Sequence, residues 1–428
     1  MSPTDVALVF GTRPEIVKLA GVVRLLGPQA RVVWTGQHWD PALTTAFFAQ
    51  YGLPRPHHRL KDVGGEPRGQ QIGRMVSALS DHLAARPPAA VVVQGDTNTA
   101  AAGALAAHCV GIPVVHVEAG LRSFDPAMPE EANRRLIAPL ADLHCAPTAT
   151  AAAHLLREGI DPHRVVITGN TVVEATLESL PSEAEVRRIV AEHAVVPGGY
   201  VLATIHRPEN TDDAARLAQI LDQLAAMDLP VLLPLHPRTR AAVDAFGLRT
   251  SITRLRRIEP LGHAAFLALA QHCRLLVSDS GGVQEECTVL KRPLVVVRNS
   301  TERPEAVQAG FARLAQPGHE LARVLRELLD DEAGAERLAR LPSPYGTGQA
   351  SADIVTAVRS RYLHAGPAAP GPAAPGPAAP GPAAPGPAAP GPTASVSATA
   401  VPTTTASSRV ARQSMRGGRA GSRRRGVH

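Results

Sequence analysis

Charged side chains in this sequence gather where an apolar run gives way to a polar one. Gly11-Thr12-Arg13-Pro14-Glu15 follows the first such run, with Lys18 a turn further on. Asp96 follows another in Gln94-Gly95-Asp96-Thr97, and Glu118 follows a third in His116-Val117-Glu118-Ala119-Gly120. Pro129-Glu130-Glu131-Ala132-Asn133-Arg134 adds Glu130 and Arg134. The second half supplies His206-Arg207-Pro208-Glu209, His236-Pro237-Arg238, Ser280-Gly281-Gly282 with Glu286, and Glu302-Arg303-Pro304. Carboxylates and histidines at strand ends are suited to general acid–base work. A Ser-Gly-Gly turn between strand and helix presents backbone N–H groups at the positive end of a helix dipole, which suits phosphate. Glu286, one turn on, can accept from ribose hydroxyls. Arg13 and Arg303 open helices aimed at the same place.

Taken singly, each segment has a plainer reading. Arg13 and Lys18 can be solvated cations on a surface helix, and Asp96 or Thr97 a helix N-cap. Glu130 and Arg134 can be an ordinary i,i+4 surface pair. Three acids at consecutive strand ends of one sheet favour chemistry over those readings. Neither a GxGxxG dinucleotide fingerprint nor a GxxxxGK[ST] phosphate loop is present.

The elements that must position these groups alternate. Short Val/Ile/Leu runs predict strands over 6–10, 31–35, 90–94, 114–117, 144–147 and 165–168, then over 200–204, 231–235, 252–258, 275–278 and 294–297. Helical Ala/Leu/Arg stretches separate them. Several runs are continuously apolar, as expected of parallel strands buried on both faces. The pattern predicts an α/β protein of two doubly wound, Rossmann-like domains facing a cleft, because ligands bind beyond the carboxyl ends of such strands. The expected divisions are 1–172, 173–345, a helix at 346–364 returning to the first domain, and a tail at 365–428. The polar stretch 169–182 is the expected hinge, and 343–348 a second break. The tail holds five GPAAP repeats and an Arg-rich end; such a composition favours extended polyproline and disorder. Its partner is left open.

Composition narrows the function classes. The 428 residues are 44% hydrophobic and 19% charged, which fits a soluble globular chain. The formal charge of +6 comes from the tail: seven of the 44 basic residues lie beyond residue 364, leaving 37 against all 38 acids. No nucleic-acid partner is expected for the folded part, and 3% aromatics are too few for base-stacking platforms. No run is long enough to span a membrane, and the first ten residues have no basic region of a secretory signal. Four scattered cysteines without CxxC spacing predict buried free thiols in a reducing, cytoplasmic setting.

Nine strings, in order from about residue 6 to 364, resemble the non-hydrolysing UDP-N-acetylglucosamine 2-epimerases: GTRPEIVK, GQH, GDTNT, HVEAGLRS, PEEANR, ITGNT, HRPEN, SDSGGVQEE and TERPEAV. The resemblance implies a GT-B-like fold, a homodimer, and interconversion of UDP-GlcNAc and UDP-ManNAc for surface polysaccharide or cell-wall precursors. It implies no metal and no cofactor. It assigns acid–base roles to Asp96, Glu118 and Glu130, with His206 at the site. Arg13, Lys18, Arg134, His236, Arg303 and the Ser280–Gly282 turn fall to substrate binding, with Glu286 on ribose and Phe266 beside uracil or simply in the core. Gln37, His38 and Arg207 match part of a second, regulatory UDP-GlcNAc site. There Trp39 and Pro208 depart from the regulated pattern, and Pro208 removes a bidentate donor, so weak activation is expected. A hydrolysing 2-epimerase releasing ManNAc and UDP, or a GT-B glycosyltransferase, remains the alternative.

Overall fold

The computed structural model describes residues 4–37 and 48–363. Seven strands, β1 (Val6–Phe10), β2 (Ala30–Trp34), β3 (His58–Arg59), β4 (Ala90–Gln94), β5 (Val114–Val117), β6 (Leu143–Ala146) and β7 (Val165–Ile167), form one sheet in the order β3-β2-β1-β4-β5-β6-β7. Six more, β8 (Val201–Thr204), β9 (Val231–Pro234), β10 (Arg256–Ile258), β11 (Leu275–Ser278), β12 (Leu294–Val296) and β13 (Ala312–Leu314), form a second in the order β10-β9-β8-β11-β12-β13. Every pairing is parallel. In each sheet the winding reverses at the first strand, between β1 and β4 and between β8 and β11. A crevice opens at such reversals.

Burial on both faces explains the continuous apolar runs. Val6, Leu8 and Phe10 pack towards the helices Arg13–Leu26 and Ala350–Val358. Ala7 and Val9 face the opposite way, towards Met75 and Leu79 and the alanines of the helix Asn98–Cys109. That helix lies so near the sheet that a Cβ on Gly103 would come within 2.9 Å of a Val93 methyl. A larger side chain there would force the two layers apart. The second sheet is covered on both faces in the same way.

Several expectations change. β3 and β13 were not anticipated, because strands of two and three residues at sheet edges carry too little pattern to read. Of 252–258, just Arg256–Ile258 is strand. The expected hinge at 169–182 is largely the helix Val172–Ser179, with Val172 and Val173 packed into the second core. Glu130 lies in the first turn of the helix Pro129–Leu140, not at a strand end. Cys145, Cys273 and Cys287 are buried free thiols, whereas Cys109 is exposed. No helix among the described residues is long and apolar enough to cross a membrane. The GPAAP repeats and Arg-rich end lie outside the described residues.

Beneath the cleft, His116 on β5 is 1% exposed, and its Nε2 donates to the Gly95 carbonyl at 2.8 Å. The imidazole thereby braces the turn that carries Asp96. Burial pushes it down to about 4, helped by the Arg122 and Arg134 charges, against its ordinary 6.5. Between those values the unfolded chain binds more protons, so this group's contribution to stability falls as pH drops through that window. His116→Gln keeps a donor and removes the titration. Its stability relative to wild type, read from denaturant midpoints, should therefore improve between about pH 7.5 and about pH 5; an equal difference at both would contradict the assignment.

Candidate active site

The loops that leave β1, β4, β5, β8, β11 and β12 converge between the sheets. The connections after β1, β8, β9, β10 and β11 border a cavity of about 410 Å³, and Asp96, Glu118, Glu130, Arg134 and Arg303 are not among its lining residues. Pro234, Pro260, Leu261 and Phe266 make an apolar wall. Arg13, Lys18, His206, His236, Ser280, Gly282 and Glu286 are among its polar lining. Such a cavity, with apolar lining and a few polar groups, suits a small ligand with a flat ring and a charged tail.

The charged end is built around the helix Gly281–Leu290, whose N-cap is Ser280. A Cβ on Gly281 would fall 2.7 Å from Arg303 Nη1, so glycine there lets the guanidinium lie against the first turn. Glu286 accepts from His263 Nε2 at 2.9 Å, and His263 Nδ1 lies 3.1 Å from the Tyr51 hydroxyl. The rings of His206 and His236 sit 5.1 Å apart. Burial lowers both below the usual histidine range, and their neighbours Arg207 and Arg238 add to this at His206. His206 Nδ1 is 3.2 Å from Asp279. Asp279 has no exposure and also accepts from the backbone N–H groups of His206 (2.9 Å) and Arg207 (2.8 Å) and from Asn210 Nδ2 (3.0 Å). One buried carboxylate thus fixes the whole His206 loop.

Lys18 is not a solvated cation. It is 7% exposed, with Nζ 2.5 Å from Glu118 and 2.9 Å from Glu285. Arg303 closes the figure, 3.3 Å from Glu118 and 2.8 Å from Glu285. Gln94 donates to Glu118 at 2.7 Å and Asn170 to Glu285 at 2.9 Å. Burial raises the Glu118 carboxyl; Lys18 and Arg303 oppose the rise and Glu285 reinforces it. Glu118 also has φ +63°, a left-handed conformation unusual for a non-glycine residue and found where surroundings hold a functional side chain in place. For Lys18, burial works against its charge, yet Glu118 and Glu285 keep it above the ordinary lysine range.

Arg134 does not pair with Glu130. Its guanidinium meets Asp96 at 2.8 Å and Glu131 at 2.6 Å, while Glu130 lies 3.2 Å from Arg207. The N-cap of the helix Asn98–Cys109 is Thr97, which leaves Asp96 free of that duty. Asp96 and Glu130 keep 25% and 36% of their side chains open, against 5% for Glu118. Gln37 accepts from the Thr99 backbone at 2.8 Å and its hydroxyl at 2.9 Å; His38 lies outside the described residues.

Asp279, Glu285, Glu302 and Glu131 were not singled out in the sequence. Each sits beside a residue that was, but nothing local marks it as buried among cations and hydrogen-bond donors. Glu302 shows the effect: burial would raise it, but Arg303, Arg298 and Arg134 outweigh that and hold its carboxyl far below the usual range. Glu15 ties Gly11 and Thr12 to Thr97, and burial pushes it up to about 7 despite those donors.

The family profile described as UDP-N-acetylglucosamine 2-epimerase matches residues 27–359. A UDP-N-acetylglucosamine 2-epimerase of Methanocaldococcus jannaschii is 37% identical over 363 residues, covering 82% of this chain and 97% of its own. A UDP-2,3-diacetamido-2,3-dideoxy-D-glucuronate 2-epimerase of Pseudomonas aeruginosa is 35% identical, covering 81% and 97%. The crystal structure of the Methanocaldococcus jannaschii enzyme with UDP-GlcNAc and UDP superposes with a TM-score of 0.75 at 36% identity, over 83% of this chain and 99% of that one. The Neisseria meningitidis enzyme bound to UDP-GlcNAc gives 0.75 at 31% identity, over 83% and 100%. With two parallel-sheet α/β domains of GT-B type and a profile match across most of its length, the chain belongs to the UDP-N-acetylglucosamine 2-epimerase family.

Proposed function

We propose that the protein reversibly epimerises UDP-GlcNAc to UDP-ManNAc at carbon 2 without hydrolysis. The observation that carries this is the juxtaposition of Glu118 and Asp96 from one lobe with Arg303 at the Ser280–Gly282 helix start from the other, and of Glu130 with Arg207. The hydrogen on carbon 2 has no adjacent ketone, so removing it alone would leave an unstabilised carbanion. Anti elimination avoids this: a base takes the carbon-2 proton as the bond from carbon 1 to the diphosphate oxygen breaks, giving 2-acetamidoglucal and UDP. Re-addition of UDP at carbon 1, with protonation of carbon 2 on the other face, completes the epimerisation. Two faces require more than one acid–base group.

Asp96, Glu118 and Glu130 form the acid–base set in this reading, with His206 beside them. Arg13, Lys18, Arg303 and the helix N–H groups receive the departing diphosphate, charges already in place that need not reorganise as the bond breaks. Arg134 orients Asp96, Glu286 accepts from ribose, and His236 and Phe266 border the nucleotide. The reading includes a homodimer working in the cytoplasm without metal or cofactor, and ManNAc supply for surface polysaccharide or wall precursors. The Pseudomonas relative's substrate puts other UDP-2-acetamido sugars, including uronates, on the panel to be assayed.

In deuterated water, NMR should show the product gaining deuterium at carbon 2; epimerisation without exchange would exclude elimination. Free ManNAc as the main product would indicate the hydrolysing reaction, and turnover that requires an acceptor a glycosyltransferase. Asp96→Asn, Glu118→Gln and Glu130→Gln should each lower kcat by about 10²–10⁴-fold, with far smaller effects on UDP binding. A variant with near-normal turnover leaves the acid–base set. Pro208, the first residue of the helix Pro208–Thr211, offers no guanidinium to an effector, and Arg207 is engaged by Glu130. The reverse reaction from UDP-ManNAc alone should therefore start linearly. A lag removed by a trace of UDP-GlcNAc would mean that the activating site survives.

A further inference from the structure

Glu285 is fully buried and adjacent to Glu286, yet it belongs to the interior and not to the cavity wall. Its Oε2 lies 2.9 Å from Lys18 Nζ; its Oε1 lies 2.8 Å from Arg303 Nε and accepts from Asn170 at 2.9 Å. Lys18 and Arg303 also touch Glu118. Lys18 thus has two carboxylate partners, one on each lobe, and Arg303 has the same two and Glu302 besides.

Resting on the epimerase reading above, we propose that Glu285 is a positioning residue: it holds Lys18 and Arg303 as a fixed pair, so that Glu118 can exchange its proton and its partners when a nucleoside diphosphate arrives. The four charges sum to zero. When Glu118 takes up a proton the ring carries one net positive charge, which an incoming diphosphate neutralises. Without Glu285 the same event would leave Lys18 with no ionised partner and Arg303 held by Glu302 alone, so the two cations would lose their shared anchor and Lys18 could swing out of line. A displacement of about 1 Å in such a site costs about 10²-fold in rate.

The groups facing this ring come from every adjoining element. Around Glu118 stand Lys18, Arg303, Gln94 and the charge of Glu285. Around Glu285 stand Lys18, Arg303, Asn170 and the buried phenol of Tyr345. Arg303 also faces Glu302 and the charge of Asp96. Within that set Glu285 is the anion that reinforces the upward displacement of Glu118. Its neutralisation should therefore lower the pH at which Glu118 titrates.

Glu285→Gln in the full chain preserves size and removes the charge. With UDP-GlcNAc as substrate, kcat should fall about tenfold or more, and the acid limb of its pH profile should move down by about one unit. UDP affinity, measured by calorimetry, should be unchanged or tighter. Weaker UDP binding with a lower melting temperature and an unmoved limb would overturn the proposal. Glu285→Asp keeps the charge and shortens the reach: kcat should fall while the limb stays where wild type has it. A wild-type kcat in Glu285→Asp also overturns the proposal, and this variant decides the matter if Glu285→Gln does not fold. Wild-type protein without any UDP-GlcNAc turnover would instead defeat the epimerase reading. The inference is then judged on UDP affinity alone, and weaker UDP binding by Glu285→Gln defeats it.

Discussion

Two cations and two carboxylates meet where the sheets face each other, and the rest of the site is arranged around them. Lys18 and Glu118 come from the first sheet's connections, Arg303 and Glu285 from the second's. Removing four charges from water costs several kcal/mol for each ion, a penalty repaid only where every charge has opposite charges and hydrogen bonds close by. Here each ion has at least two opposite partners, and Gln94 and Asn170 supply further donors to the carboxylates. Each lobe contributes one cation and one anion already in contact with each other. Separation of the lobes would therefore strand no lone charge, whereas loss of one member would.

The ring continues into a chain of alternating charge. Arg303 touches Glu302, Glu302 meets Arg298 at 2.9 Å, and Arg298 meets Glu209 at 3.3 Å. Arg134 extends it towards Asp96 and Glu131. The acid–base candidates are thus suspended in a lattice of fixed charges. Glu118 is deepest and most constrained, with a strained backbone and little solvent; Asp96 and Glu130 sit nearer the opening. In the proposed reaction, those different environments would suit the carboxylates to different roles.

Small residues decide how closely the charged layers approach. Gly281 admits the Arg303 guanidinium to the start of its helix, and Gly103 admits a helix to the sheet behind β4. The first brings a side-chain charge to a helix dipole, and the second sets the depth of the strand that ends at Asp96. Asp279 does the corresponding work for His206 by collecting the loop's backbone donors. In each case a residue set back from the cavity determines where a candidate site residue can stand.

Much of this was legible along the chain. Continuous apolar runs announced parallel strands because both faces of each sheet are covered, and chemistry-bearing residues followed them because crevices lie at strand carboxyl ends. The short edge strands and the Val172–Ser179 helix were not legible, since two or three residues carry no period and a polar stretch can still bury one face. Residue type and local spacing by themselves determined the fold class and the phosphate-suited turn at Ser280, and the ordered family strings implied the acid–base candidates. Which charges neutralise which was decided only by the tertiary structure. Glu130 and Arg134 are four residues apart and turn to other partners, while Lys18 meets Glu118 and Glu285 from 100 and 267 positions away. Coulomb attraction and desolvation depend on distance and burial in space, and neither is written in the separation of residues along a chain.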